Sequence, residues 1–155
     1  MAKKELYLNY DLLREKMADI EKAVALLEKI ASKSLEEFLS DEMLISGAKY
    51  QLIVAIEAAQ SICNHLAARV AKEAPASYAD CFYILRKNSV ISEEIAQKMA
   101  SAAKFRNLLV HQYGKINDYI VFDVLRKDLG NLLRYIGEIK SFLKAVEKEQ
   151  EHDQG

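Results

Sequence analysis

Proline and glycine are nearly missing from this chain, with one Pro and five Gly in 155 residues. A β protein needs more of both for its turns, so the scarcity argues against sheet. Cysteine is scarce too. Cys63 and Cys81 are too few and too far apart for a disulfide scaffold or a zinc knuckle, and free thiols are expected. An excess of one charge is also lacking: 22 Lys and Arg face 23 Asp and Glu, a formal net charge of −1. That balance gives no global pull toward nucleic acid or an anionic membrane. Any nucleic-acid contact must come from a local basic patch, such as one built by two subunits.

Long apolar runs are absent as well. Within residues 50–68 the only formal charge is Glu57, yet Gln51, Gln60, Ser61, Asn64 and His65 keep the segment too polar for a membrane span. The start, MAKKELYLNY, is basic but is followed by no apolar signal-peptide core. No Gly-rich phosphate loop, nucleophile elbow or metal-spaced cluster occurs. The expectation is a soluble, cytoplasmic protein with no membrane partner, no metal and no cofactor.

What the chain has is helix formers in register: Leu, Ala, Glu, Lys and Ile dominate. Leu13, Met17, Ile20, Val24, Leu27 and Ala31 form one seam at 4-3-4-3-4 spacing. Leu52, Ile56, Ala59, Cys63, Leu66 and Val70 repeat that spacing in a second helix. Phe122, Leu125, Leu129, Leu132, Ile136, Ile139, Leu143 and Val146 give the longest seam. YIVFDVL, Tyr119 to Leu125, has strand propensity, but its continuation at helical spacing predicts helix.

Pro75 closes one element, and Ser77 with Asp80 opens a short helix around Tyr78–Arg86. Residues 87–89, KNS, read as a turn. Ser92, followed by Glu93 and Glu94, caps a helix running toward His111, with Gly114 as its stop. Asn117 and Asp118 then cap the long last helix. The predicted architecture is all-α: an antiparallel helical bundle with one or two short inserted helices. Residues 1–148 form one domain and 149–155 a flexible tail.

Several polar residues stand out. Glu149 and His152 spell the Glu-x-x-His of di-iron bundles, but the copy is single and sits in the tail, so solvation explains it. Asn64 and His65 flank the second seam and read as a half-buried, hydrogen-bonded helix flank. Glu57, seven residues before Asn64, shares its face. It could hold an arginine from a neighbouring helix, with Arg106 as the candidate.

FRNLLVHQYGKIND, Phe105 to Asp118, carries the main question. Leu108, Leu109 and Val110 look like core, whereas Arg106, Asn107, His111 and Tyr113 have no evident packing role. Asn107 and His111 lie four apart on one face, so the amide could orient the imidazole. Arg106 and Tyr113, seven apart, also share a face. Arg106 and His111 point about 140° apart on a straight helix. They meet only if the helix distorts or a second subunit supplies one of them. The plain alternative is a helix C-terminus with favourable positive charge.

Arg106-Asn107-Leu108-Leu109-Val110-His111-Gln112-Tyr113 resembles the Arg-x4-His-x-Tyr motif of HEPN-domain ribonucleases, specifically the HepT-like toxins. SYADCFYIL, ISEEIAQKM, NLLVHQYGKIND and QLIVAIEAAQSICNHL are similar to the same family, and the likeness runs from the first helix to about Val146. The resemblance implies a helical RNA endonuclease that works as a homodimer, its two motifs facing across the interface, on an RNA substrate with tRNA among the candidates. It also implies a partner, a minimal nucleotidyltransferase antitoxin that silences the toxin by transferring AMP to Tyr113. Such a nuclease uses the ribose 2′-hydroxyl as nucleophile and needs no metal. His111 suits proton transfer and Arg106 suits the phosphorane oxygens, with Asn107, Tyr113 and Glu57 supporting. The rival is a non-catalytic HEPN module binding a nucleotidyltransferase or nucleotide as an adaptor.

Overall fold

The computed structural model describes residues 7–154, with side chains through Glu151. The element order is α1 (Tyr10–Ala31), α2 (Leu35–Leu39), α3 (Glu42–Leu66) continued by a π-helical turn (Ala67–Ala71), α4 (Tyr78–Lys87), α5 (Glu93–His111), α6 (Asp118–Lys127) and α7 (Leu129–Gln154). No strand occurs among the described residues. The expected all-α bundle is what forms. The basic start of the chain and the His152 side chain lie outside the described residues.

Each seam becomes a buried stripe because residues three and four apart stack on one face of a helix. Leu13, Ile20 and Leu27 of α1 are fully buried, as are Ala55, Ala59, Ile62 and Leu66 of α3. Each buried Leu or Ile stabilises the fold by about 1.5–3 kcal/mol. Tyr135 of α7, fully buried, stacks edge-on against Phe82 of α4 at 5.6 Å between centroids. Its hydroxyl donates to the Ala59 carbonyl at 3.0 Å. Phe38 of α2 meets Phe122 of α6 at 4.8 Å, so the short helix closes one end of the bundle.

The caps follow the sequence closely. The Ser77 hydroxyl accepts from the Asp80 amide and the Ser92 hydroxyl from the Ile95 amide. Asn117 accepts from the Tyr119 amide at the start of α6. The short helix α2 opens on a capping box, Ser34 with Glu37, which the sequence spells as Ser-x-x-Glu.

Three expectations change. The last seam is not one helix: α6 ends at Lys127 and α7 begins at Leu129, with Asp128 between. Asp128, Gly130 and Asn131 are weak helix formers, and the Asn131 amide turns back to the Asp128 carbonyl at 3.0 Å. Yet Phe122, Leu125, Leu129, Leu132, Ile136 and Ile139 all stay buried, so the core pattern survives the break. Second, Cys63 and Cys81 are not free thiols; they are paired as a disulfide joining α3 to α4, with Cα atoms 6.2 Å apart. Spacing along the chain hid this, because α4 folds back onto the end of α3. Third, Gly114 is no left-handed helix stop, since no glycine has positive φ among the described residues. α5 ends at His111, and Gln112 caps it with φ −129° and ψ 36°. The last helix, α7, is helical through Gln154.

Among the described residues no helix is long and apolar enough to cross a membrane.

Candidate active site

The buried face of α5 runs through Ile95, Met99, Ala103 and Leu109, all nearly or fully buried. Arg106 falls midway between Ala103 and Leu109 on that stripe, three residues from each. Its side chain is therefore only 21% exposed, and the guanidinium needs partners from inside the bundle. Glu57 of α3 supplies one: its carboxylate lies 3.4 Å from Nη2. The expectation that Glu57 faces an arginine from a neighbouring helix is met in this geometry.

Asn107 is placed differently from expectation. Its Oδ1 accepts from Arg106 Nη1 at 3.1 Å, and no hydrogen bond joins it to His111 among the described residues. Adjacent residues reach each other here because the long Arg106 side chain can bring its guanidinium to the neighbouring amide. The Arg106 Nε remains buried without a partner.

His111 is the last residue of α5 and is exposed, with no hydrogen-bond or ion-pair partner among the described residues. The Gln112 amide still donates to Leu108 at 2.8 Å, so the helix is regular to its end. Arg106 and His111 are thus held on divergent faces. Leu108 and Val110, expected in the core, are 46% and 41% exposed. One face of α5 can point inward, and Leu109 alone of the three occupies it.

Tyr113 lies beyond the helix, so it leaves the Arg106 face that a straight helix would have given it. It is 41% exposed. Beneath it sits Lys49 of α3, 5% exposed, whose ammonium donates to the Tyr113 carbonyl at 2.9 Å and lies 4.6 Å from the ring centroid. Lys49 and Asp118 were not read from the sequence as part of this site. The available signal was a lone lysine inside the apolar run LISGAKYQLIVAI. Because Lys49 meets Tyr113 while Glu57 meets Arg106, α3 and α5 run antiparallel here. α3 supports the segment at points about 12 Å apart.

Asn64 and His65 take no part in this site. His65 Nε2 accepts from the Asn9 amide at 3.0 Å, tying α3 to the start of α1. Burial, with Arg69 nearby, lowers its pKa, consistent with a neutral acceptor. Asn64 Oδ1 lies 3.6 Å from Cys81 Sγ. The half-buried, hydrogen-bonded reading fits His65 and not Asn64, which is exposed and meets a disulfide sulfur with no proton to donate.

A half-buried arginine and an exposed histidine near one helix end are side chains able to grip a phosphate and to move a proton. The family described as Ribonuclease HepT-like matches residues 20–146, and the chain belongs to it. The chain is 29% identical over 127 residues to "tRNA nuclease HepT" of Aphanizomenon flos-aquae, covering 81% of this chain and 85% of that protein. It is 25% identical over 131 residues to "mRNA nuclease HepT" of Shewanella oneidensis, covering 84% and 98%. A solved structure of a tri-AMPylated Shewanella oneidensis HEPN toxin in complex with an MNT antitoxin superposes with a TM-score of 0.78 at 25% identity, covering 84% and 98%.

Proposed function

We propose that this chain is a metal-independent RNA endonuclease, the toxin of a toxin–antitoxin pair, active as a homodimer and silenced when a partner nucleotidyltransferase transfers AMP to Tyr113. The observation that carries the reading is Arg106. A half-buried cation on a core stripe costs stability, and an RNA phosphate gripped by its exposed part gives a reason to keep it there. His111, exposed and unpartnered one turn further on, supplies proton transfer.

Cleavage then balances without a protein nucleophile. The ribose 2′-oxygen attacks the adjacent phosphorus, and its proton passes to one His111. The P–O5′ bond breaks, and the leaving 5′-oxygen takes a proton from the His111 of the second copy. The products are a 2′,3′-cyclic phosphate and a 5′-hydroxyl. Arg106 stabilises the charge that grows on the phosphorane oxygens. Glu57 and Asn107 hold its guanidinium meanwhile. The dimer is supported by the divergence of Arg106 and His111 within one chain and by exposed Leu108 and Val110 beside them.

AMP transfer is the control step. The Tyr113 phenolic oxygen attacks the α-phosphorus of ATP and the α–β bridging P–O bond breaks. Pyrophosphate leaves, and the phenolic proton passes to a base of the transferase. The phosphate now on Tyr113 competes with RNA for the same cations, and the adenosine obstructs entry. The exposure of Tyr113 supports this, as does the AMPylated state of the Shewanella toxin.

Bulk RNA incubated with the purified chain in EDTA should yield 2′,3′-cyclic ends, and His111→Ala should not. Wild-type cleavage by His111→Ala would sink the catalytic assignment. Intact mass after incubation with the nucleotidyltransferase and ATP should rise by AMP units in wild type and not in Tyr113→Phe. Tight binding of the transferase with no RNA cleavage would leave the adaptor reading.

A further inference from the structure

Lys49 is the least expected feature of the molecule. It is 5% exposed in the middle of α3, where a lysine is almost never buried without a purpose. Its ammonium reaches both ends of the α5–α6 connection. At one end it donates to the Tyr113 carbonyl at 2.9 Å and lies under the Tyr113 ring at 4.6 Å. At the other it lies 3.2 Å from Asp118 Oδ1, the first residue of α6. That contact is coulombic rather than an aligned hydrogen bond, since Asp118 Oδ1 receives none. A buried ammonium demands several partners at once, and a connection that supplies them is fixed by that demand.

We infer that Lys49 is a positioning residue: its buried ammonium clamps residues 113–118 and so sets where Tyr113 and the adjoining end of α5 with His111 stand. This inference rests on the proposed function in that Tyr113 is the AMP acceptor. A carbonyl, a ring face and a carboxylate held by one ammonium leave the Tyr113 ring little freedom to turn. The face of the ring on Lys49 is covered, and the other side of the residue is left to solvent. A transferase therefore meets the phenol in one pose. An apolar side chain of the same length keeps the packing and loses all three contacts.

Lys49→Met is the test, read by hydrogen exchange across 112–118 and by steady-state AMP transfer from ATP. Exchange should rise in that segment alone. AMP transfer should fall about ten-fold or more in kcat, with KM for ATP unchanged, since misplacement of a reacting group costs rate rather than cosubstrate affinity. RNA cleavage should slow too, because His111 adjoins the segment. A purely structural lysine would instead lower Tm and raise exchange throughout α3. That outcome, or wild-type exchange and transfer in a folded Lys49→Met, overturns the inference.

If Lys49→Met fails to fold, Asp118→Asn takes its place. Asp118 is partly exposed, and its loss removes one arm of the clamp. The same local exchange and a several-fold loss of transfer are expected, and wild-type behaviour overturns the inference. Should wild type itself accept no AMP, the proposed control of Tyr113 fails. The exchange data would still decide Lys49.

Discussion

His65 near the end of α3 and His111 at the end of α5 start from the same residue type at nearly the same helix position. They live differently. His65 is half-buried and accepts the Asn9 amide, which would otherwise have no partner from its own helix. His111 is exposed and has no hydrogen-bond or ion-pair partner among the described residues. The two cations of the same region divide likewise. Lys49 is buried with its charge and donors engaged, whereas Arg106 keeps an unmet buried Nε. A polar group whose demands are met inside the fold explains itself. One left partly exposed and incompletely paired is free to serve a ligand.

The comparison breaks first at Arg106 and His111. Arg106→Ala and His111→Ala should each reduce RNA cleavage by about 100-fold or more, from lost charge stabilisation and lost proton transfer. Circular dichroism melts should stay within a few degrees of wild type. A His111→Ala chain that unfolds would place His111 with His65 as a structural residue.

A mixing experiment comes next. If two copies share one phosphate, each cut needs the His111 of both. Refolded in equal amounts with wild type, His111→Ala should leave about a quarter of wild-type activity, since only a quarter of random dimers carry both histidines. About half of wild-type activity, with mixed dimers verified by native mass spectrometry, would mean that each site is built within one chain.

Stability effects are smaller. Tyr135→Phe removes a buried hydroxyl from the Ala59 carbonyl, which keeps its own helical environment, and should cost about 1 kcal/mol in urea unfolding without changing cleavage. A loss of cleavage there would show that the satisfied and unsatisfied groups are coupled.

The smallest effect tests His65 directly. Burial first, and Arg69 second, depress its pKa below the ordinary 6.5. Its contribution is therefore complete above the unfolded value and is lost as pH falls through the folded one, because the unfolded chain takes up the proton first. Stability should decline below about pH 6.5. His65→Gln should remove that part of the pH dependence while costing about 0.5–1 kcal/mol at neutral pH. An unchanged acid limb in His65→Gln would show that other groups set it.

Much of this molecule was legible along the chain. The seams from Leu13 to Leu27 and from Leu52 to Leu66 predicted buried stripes, and Ser77, Ser92 and Asn117 predicted helix starts. These are local matters, decided by spacing and by the backbone groups a cap must satisfy. The residues of the candidate site were legible by type and by resemblance. Glu57 stood out because it is the one charge in a long uncharged stretch. The break at Asp128 was not legible, because the buried pattern continues through it unchanged.

By itself, then, the sequence determined the helices, their buried faces and the residues able to handle a phosphate and a proton. Which of those residues touch was decided only by tertiary structure. Glu57 meets Arg106, Lys49 meets Tyr113 and Asp118, and Cys63 meets Cys81 because antiparallel helices bring distant positions to one level. Asn107 turned to Arg106 rather than His111 for a related reason: a half-buried guanidinium pulls an acceptor toward it, while an exposed imidazole is served by water. Helical spacing fixes neighbours within about a turn or two, and the register between helices is set by how their side chains interlock across the core.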